Sequence, residues 1–361
     1  MRRLLVTGGA GFIGSNFVDH WLGAHPRDRV VVLDALTYAG NPANLADAHE
    51  RESFRFVRGD VADTALVETL LREEVLDTIV HFAAESHVDR SISGPDAVVA
   101  TNIVGTHSLL KAARRVWIEQ NAVPDHRFHH ISTDEVFGSL GDGEAASTET
   151  SAFAPNSPYS ASKAAADHLV RAYHRTYGLR ASISNCSNNY GPRQFPEKLI
   201  PLTIVNILRG RPVPLYGDGR NVRDWLHVAD HCRGIELALT RGKAGEVYNF
   251  GGDTPLENVT LVRRLCALVD ARFAAQPELA ARFPEAPRAR GRESSSLVTY
   301  VEDRAGHDRR YAIDFAKARR ELGYEVRQTI ADGLADTLDW YLAREDWWRA
   351  VLEGRHQAAT L

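Results

Sequence analysis

The chain has 361 residues, room for one large domain or two modest ones. Its 44% hydrophobic and 25% charged residues are the balance of a globular protein, which excludes a disordered, collagen-like or low-complexity chain. Lys plus Arg number 43 against 47 Asp plus Glu, a net charge of −4. With no long basic run, this argues against a nucleic-acid partner. No apolar stretch approaches the ~20 residues that cross a bilayer, so no membrane partner is expected. The apolar run after Met1 stops at Gly8-Gly9, too short for a signal-peptide core, and the cytoplasm is the expected compartment.

Short apolar runs at residues 3–7, 29–33, 54–57, 78–82 and 128–132 predict strands. Longer segments with helical periodicity begin near Phe12 and cover 64–72 and 97–117. Strands alternating with helices predict an α/β fold, a Rossmann-type doubly wound parallel sheet with both faces covered. Further strands are expected at 181–186 and 247–250. The proline-rich stretch 196–216 and the chain after Gly251 break the rhythm. They predict a smaller, interleaved C-terminal substrate lobe. The expected division is a dinucleotide-binding domain of 1–186 and 220–250 and a second lobe of 187–219 and 251–361. Residues 271–296 read as a partly helical surface insertion.

Cys186, Cys232 and Cys266 are widely spaced, with no C-x-x-C pair, and no H-E-x-x-H occurs. Buried reduced thiols are expected rather than disulfides or a metal site. His129 and His130 read as packing residues facing opposite sides of a strand.

Thr7-Gly8-Gly9-Ala10-Gly11-Phe12-Ile13-Gly14 follows a strand-like run and opens a helix. Glycines permit the tight turn and let backbone N–H groups approach a pyrophosphate. The helix N-terminus then adds unpaired N–H groups and partial positive charge. Asp34 ends the next strand, roughly 20 residues on, where an acid takes the ribose hydroxyls and favours NAD over NADP.

Tyr159 and Lys163 stand four apart in Pro158-Tyr159-Ser160-Ala161-Ser162-Lys163, a spacing that shares a helix face. Ser157 can cap this helix and Pro158 fits its first turn. An ammonium beside a phenol favours the phenolate. A base working near neutrality needs a shift of roughly 3 units from the free tyrosine value of ~10. Asp134 and Glu135 end another strand-like run, where ligands bind in open parallel sheets. Two adjacent carboxylates can hold different protonation states, but they converge on one substrate only if the chain turns there.

The stretches TGGAGFIGSN, AAESHVDRSI, STDEVFG, PYSASK, SNNYGPRQFPEKLIP and RDWLHVADH, with Asp34, resemble the extended short-chain dehydrogenases/reductases. The similarity is greatest to members that dehydrate dTDP-glucose, and it runs from Arg3 to about Trp348. The Asp134-Glu135 pair is its most specific element. Where the family often has D-R-P-G-H, this chain has Asp303-Arg304-Ala305-Gly306-His307.

The resemblance implies dehydration to dTDP-4-keto-6-deoxyglucose with tightly bound, recycled NAD: oxidation at C4, elimination of water across C5 and C6, and reduction at C6. In that scheme Tyr159 takes the 4-hydroxyl proton, Lys163 charges the tyrosine and Thr133 hydrogen-bonds the 4-oxygen. Glu135 removes the C5 proton and Asp134 protonates the leaving 6-hydroxyl. The resemblance further implies that Gly8, Gly11, Phe12, Ile13, Gly14, Asp34, Leu36, Thr37, Asp60, Val61, Ala83, Ala84, Thr101 and Asn189 contact the cofactor, with Tyr159 and Lys163. Ser86, Asn188, Lys198, Leu199, Pro214, Tyr216, Arg223, Asn258, Asp303 and His307 contact the sugar nucleotide, with Thr133 and Glu135. It also implies a homodimer, for which the helices at 97–117 and 158–178 offer the interface. Alternatives are a 4-epimerase or decarboxylase of the same family, which leaves the acidic pair without a role, and a non-catalytic NAD-binding sensor.

Overall fold

The computed structural model describes residues 1–141 and 143–358. Seven strands form one parallel sheet: β1 (Arg3–Thr7), β2 (Arg29–Asp34), β3 (Phe54–Arg58), β4 (Thr78–His81), β5 (Arg127–Thr133), β6 (Ala181–Cys186) and β10 (Val247–Phe250). Their order is β10-β6-β5-β4-β1-β2-β3. The expected strands are all present, to within a residue or two at their ends.

Alternation along the strands assigns side chains to the two faces. Leu5, Val31 and Leu33 pack on one face with Val67, Leu109, Trp117, Phe128 and Val170. Leu4, Val6, Val30 and Val32 pack on the other with Phe17, Trp21, Ile235 and Leu239. Burial on both faces explains the near-continuous apolar runs in sequence. Thr7 lies in register with Leu33 and with His81, and Thr133 with Cys186. The carboxyl ends of five strands are thereby brought to one edge, and the loops that leave them form a cleft.

A second core gathers Tyr190, Ile204, Leu208, Trp225, Leu261, Leu265, Leu338 and Trp348. Five shorter strands belong to this later part of the chain: β7 (Asn188–Tyr190), β8 (Val213–Tyr216), β9 (Val222–His227), β11 (Pro255–Glu257) and β12 (Val298–Val301). They make a three-stranded sheet, β11-β9-β7, and a two-stranded one, β12-β8. The last long helices return to the cofactor side of the cleft. Trp347 donates its indole N–H to Asn44 Oδ1 at 2.7 Å, and His356 Nε2 lies 3.0 Å from the Tyr38 carbonyl.

The helix Pro158–Tyr177 has the expected start, with Ser157 and Ser160 in a reciprocal capping box and Pro158 in the first turn. It ends at Gly178 in the left-handed conformation (φ +74°). Residues 96–119 are helical throughout but contain two π segments, Val99–Gly105 and Arg114–Glu119. Residues 271–296 are not a mere surface insertion. Leu279, Phe283 and Ala286 are buried in the second core, so the segment closes that lobe. Cys186, Cys232 and Cys266 are free and buried, and no described helix is long and apolar enough to cross a membrane.

Candidate active site

The glycine loop is tightly built. Gly8 has φ +70°, and a Cβ there would lie 2.6 Å from the Ala83 nitrogen. A Cβ on Gly14 would lie 2.3 Å from the Gly8 carbonyl oxygen, so the helix Phe12–Ala24 rests directly on the loop only because both residues lack side chains. Gly11 precedes that helix, no side chain caps it, and its first turn carries no acid. The first-turn N–H groups thus suit an anion. Asp34 accepts the Ala10 N–H at 2.9 Å and the Leu36 N–H at 2.8 Å, which fixes the loop to the end of β2.

One cleft of about 470 Å³ contains Gly8, Gly11, Phe12, Ile13, Gly14, Asp34, Thr37, Asp60, Val61, Ala83, Ala84, Thr101 and Asn189. Leu36 departs from expectation: at φ +54° its backbone N–H ties to Asp34, while its side chain packs into the core under the sheet and does not line the cleft. Asn189 lines the cleft, yet its amide is engaged by Ser187 and His231. The glycine cradle, the uncapped helix and the carboxylate at the end of β2 together fit NAD.

The chain turns where the acidic pair requires it. β5 ends at Thr133, and Asp134–Phe137 form a 3₁₀ turn whose Glu135 N–H donates to Thr133 Oγ1 at 3.3 Å. Thr133, Asp134, Glu135, Tyr159 and Lys163 all line the cleft. Thr133 adjoins the Tyr159 side chain. Asp134 is buried, and its Oδ2 has no partner in the protein. Burial, then the neighbouring Glu135 and Asp224 charges, hold its carboxyl well above the usual range. Burial raises Glu135 too, but the Arg223, Arg304 and Lys198 charges pull it back. Both carboxyls are thus raised, Asp134 far more than Glu135, whose burial is partly offset by three cations.

Lys163 is buried, donating to the Ile131 carbonyl at 2.7 Å and lying 3.3 Å from His130 Nε2. Burial lowers it to about 8, against the pull of Asp167. For Tyr159, burial and then the Glu135 charge drive the phenol well above its ordinary value. The lowering expected from Lys163 does not decide the direction in the protein alone, where burial and the nearby carboxylates do. The positive charge of oxidised NAD would act in the opposite direction. His129 is a packing residue, held between Ser182 and Ser184. His130, by contrast, reaches Lys163.

At the other end of the cleft lie Ser86, Asn188, Lys198, Leu199, Pro214, Tyr216, Arg223, Asn258 and His307. Lys198 donates to the Ser86 carbonyl at 2.8 Å. Arg223 is anchored by the carbonyls of Val222 and Asp308 and lies over the Tyr311 ring. Asn188 Oδ1 and Asn258 Oδ1 are buried without partners. Tyr216 and His307 meet edge to face, ring centroids 6.0 Å apart. Asp303 departs from expectation: it does not line the cleft but is half exposed, holding His307 Nδ1 at 2.6 Å and capping the Arg304 N–H.

Sequence reasoning missed Arg304, which lines the cleft and donates to Asp89 Oδ1 at 3.1 Å. Its only signal was its place between Asp303 and His307. It also missed Tyr38, Glu85, His87 and Glu197, a polar wall in which the Tyr38 hydroxyl donates to Glu197 Oε1 at 3.0 Å. Those residues come from three separate loops, and no local spacing ties them together.

Residues 5–337 match the model of the GDP-mannose 4,6 dehydratase family. The chain belongs to this family. Within it, the chain is 52% identical over 363 residues to the dTDP-glucose 4,6-dehydratase of Xanthomonas campestris pv. campestris strain B100, covering 99% of this chain and 98% of the relative. It is 48% identical to the dTDP-glucose 4,6-dehydratase of Neisseria meningitidis serogroup B, covering 100% and 99%. The crystal structure of the dTDP-glucose 4,6-dehydratase of Streptomyces venezuelae, solved with NAD bound, superposes with a TM-score of 0.86 at 49% identity, covering 97% of this chain and 99% of that one. The dehydratase family thus accounts for the whole architecture, both lobes included.

Proposed function

We propose that this family member is an NAD-dependent hydro-lyase that converts dTDP-glucose to dTDP-4-keto-6-deoxyglucose. The observation that carries the reading is the Asp134-Glu135 turn, which presents two carboxyls in unequal surroundings beside Tyr159 in one cleft. Bound at the glycine loop and Asp34, NAD would accept a hydride in the oxidation and return it in the reduction. Tyr159 takes the 4-hydroxyl proton, with Thr133 on the 4-oxygen and the Lys163 ammonium nearby. The resulting ketone acidifies the C5 hydrogen. Glu135, whose burial is partly offset by the Arg223, Arg304 and Lys198 charges, removes that hydrogen as its carboxylate. Asp134, kept protonated, donates to the departing 6-hydroxyl. Burial of Asp134 helps keep bulk water from the intermediate.

Lys198, Arg223 and Arg304 form the cationic end of the cleft and suit a diphosphate. Asn188 and Asn258 offer amides to the nucleotide, and Tyr216 with His307 an aromatic platform for the base. Residues 1–186 and 220–250 form the cofactor unit in this reading, and 187–219 with 251–361 the nucleotide-sugar unit. The three reduced thiols support the cytoplasm as compartment.

The chain acts as a homodimer in this reading. The helix Pro158–Tyr177 exposes Ala161, His168 and Ala172 beside the helical segment that exposes Val99 (46%) and Val104 (52%). Two neighbouring helices with small and apolar outer residues suit close packing against a second copy.

The test supplies an equimolar mixture of dTDP-glucose and UDP-glucose in deuterated water without added reductant, followed by mass spectrometry. Loss of water from the dTDP sugar with one solvent deuterium retained is the expected result. Unchanged masses from protein that holds NAD would overturn the assignment.

A further inference from the structure

A second polar cluster lies behind Lys163, on the side away from the cleft. Asp167 follows Lys163 by one helical turn and is 3% exposed. A buried carboxylate is costly unless donors surround it. Ser132 Oγ donates to its Oδ2 at 2.8 Å, and Asn185 Nδ2 at 3.4 Å. Its other oxygen lies 3.4 Å from His130 Nε2, the same nitrogen that lies 3.3 Å from Lys163 Nζ. That nitrogen carries either a hydrogen or a lone pair, so it serves Asp167 or Lys163 but not both as a hydrogen-bond partner. Two strands and one helix converge here, and none of the proposed chemical steps uses Asp167.

We infer that Asp167, held by Ser132 and Asn185 and adjoining Lys163 through His130, is a positioning residue that keeps Lys163 an ammonium and so sets the pH at which Tyr159 gives up its proton. This deepens the proposed function, because it takes Tyr159 as the proton acceptor. Around Lys163 stand His130 on β5, Cys186 on β6, Asp167 on its own helix and Tyr159 toward the cleft. His81 on β4 stacks 5.1 Å from His130, His168 adjoins Asp167, and Asp134 and Glu135 adjoin Tyr159. Among these, Asp167 is the anion on the far side of the lysine from the substrate. Asp134 and Glu135 change protonation during the reaction, whereas Asp167 takes no part in it. Burial raises Asp167 to about 6, with Lys163 drawing it down, so it is a carboxylate at neutral pH.

The experiment compares the wild type with Asp167→Asn, both loaded with NAD and without sugar nucleotide. The Tyr159 phenolate is titrated by its near-ultraviolet absorbance, as a difference against Tyr159→Phe. Removing the carboxylate lowers the lysine pKa, weakens the ammonium and moves the phenolate midpoint upward, on the order of one pH unit, a tenfold change in the ionisation constant. The acidic limb of kcat/KM for dTDP-glucose moves with it, while KM changes little. Asp167→Glu, which restores the charge, brings the midpoint back. Asp167→Ser, neutral and smaller, is expected to give the same upward shift and carries the test if the asparagine variant does not fold. An unmoved midpoint, or a loss of activity equal at every pH, would overturn the inference. The phenolate titration needs no turnover, so it separates this inference from the choice of substrate.

Discussion

Asp134 and Glu135 are neighbours in the chain yet face unequal electrostatic surroundings. Asp134 meets the Glu135 and Asp224 charges against Arg223, whereas Glu135 meets Arg223, Arg304 and Lys198 against Asp308. Glu135→Gln is expected to lower turnover by roughly 10²–10⁴-fold, the range for removing a general base. Oxidation at C4 should survive in the variant, visible as reduced-nicotinamide absorbance on mixing with dTDP-glucose. Exchange of the C5 hydrogen with deuterated water should be lost. Full turnover in Glu135→Gln would instead favour an epimerase.

The glycine loop gives a graded series. Gly8→Ala places a Cβ 2.6 Å from the Ala83 backbone at φ +70°, and Gly14→Ala places one 2.3 Å from the Gly8 oxygen. Each should cost about 1–3 kcal/mol of stability, with NAD affinity falling alongside. Gly11 has an ordinary φ, and a Cβ there would lie 3.3 Å from the Gly8 oxygen. Gly11→Ala should therefore be the mildest of the three. Denaturant unfolding and NAD titration on the same samples check the order.

Lys163 predicts a pH dependence of stability. Burial lowers it from 10.5 in the unfolded chain to about 8 in the folded one. Between these values the unfolded chain binds more protons, so the Lys163 contribution makes stability rise as pH increases through that window. Below it, the cost of the buried ammonium is present in full. The stability of wild type minus that of Lys163→Met should therefore increase from pH 8 toward 10.5. Denaturant midpoints across that range measure it, and a flat difference would contradict the burial described for Lys163.

The proposed dimer has a direct test. Val104→Glu puts a charge on the exposed helical face without touching either core. Sedimentation should find the variant monomeric where the wild type is dimeric. A dimer in both would move the interface elsewhere.

Much of the fold was legible because a parallel sheet buried on both faces leaves uninterrupted runs such as residues 29–33. The glycine spacing, Asp34 and the Tyr159-Lys163 pair were legible because each is local. Residues whose roles depend on distant neighbours were not. Asp303 looks like a ligand in sequence, but its carboxylate turns to His307. Leu36 looks like part of the cofactor loop, and its side chain turns into the core. Asp167 drew no notice because its partners, Ser132 and Asn185, lie on different strands. Residues 271–296 looked polar overall, and Leu279, Phe283 and Ala286 were lost among charged neighbours.

The bond from Trp347 to Asn44, and the contact of His356 with the Tyr38 carbonyl, join positions 303 and 318 residues apart in sequence. The loop after β2 is therefore braced by a segment far along the chain, and its shape depends on that segment having folded into place.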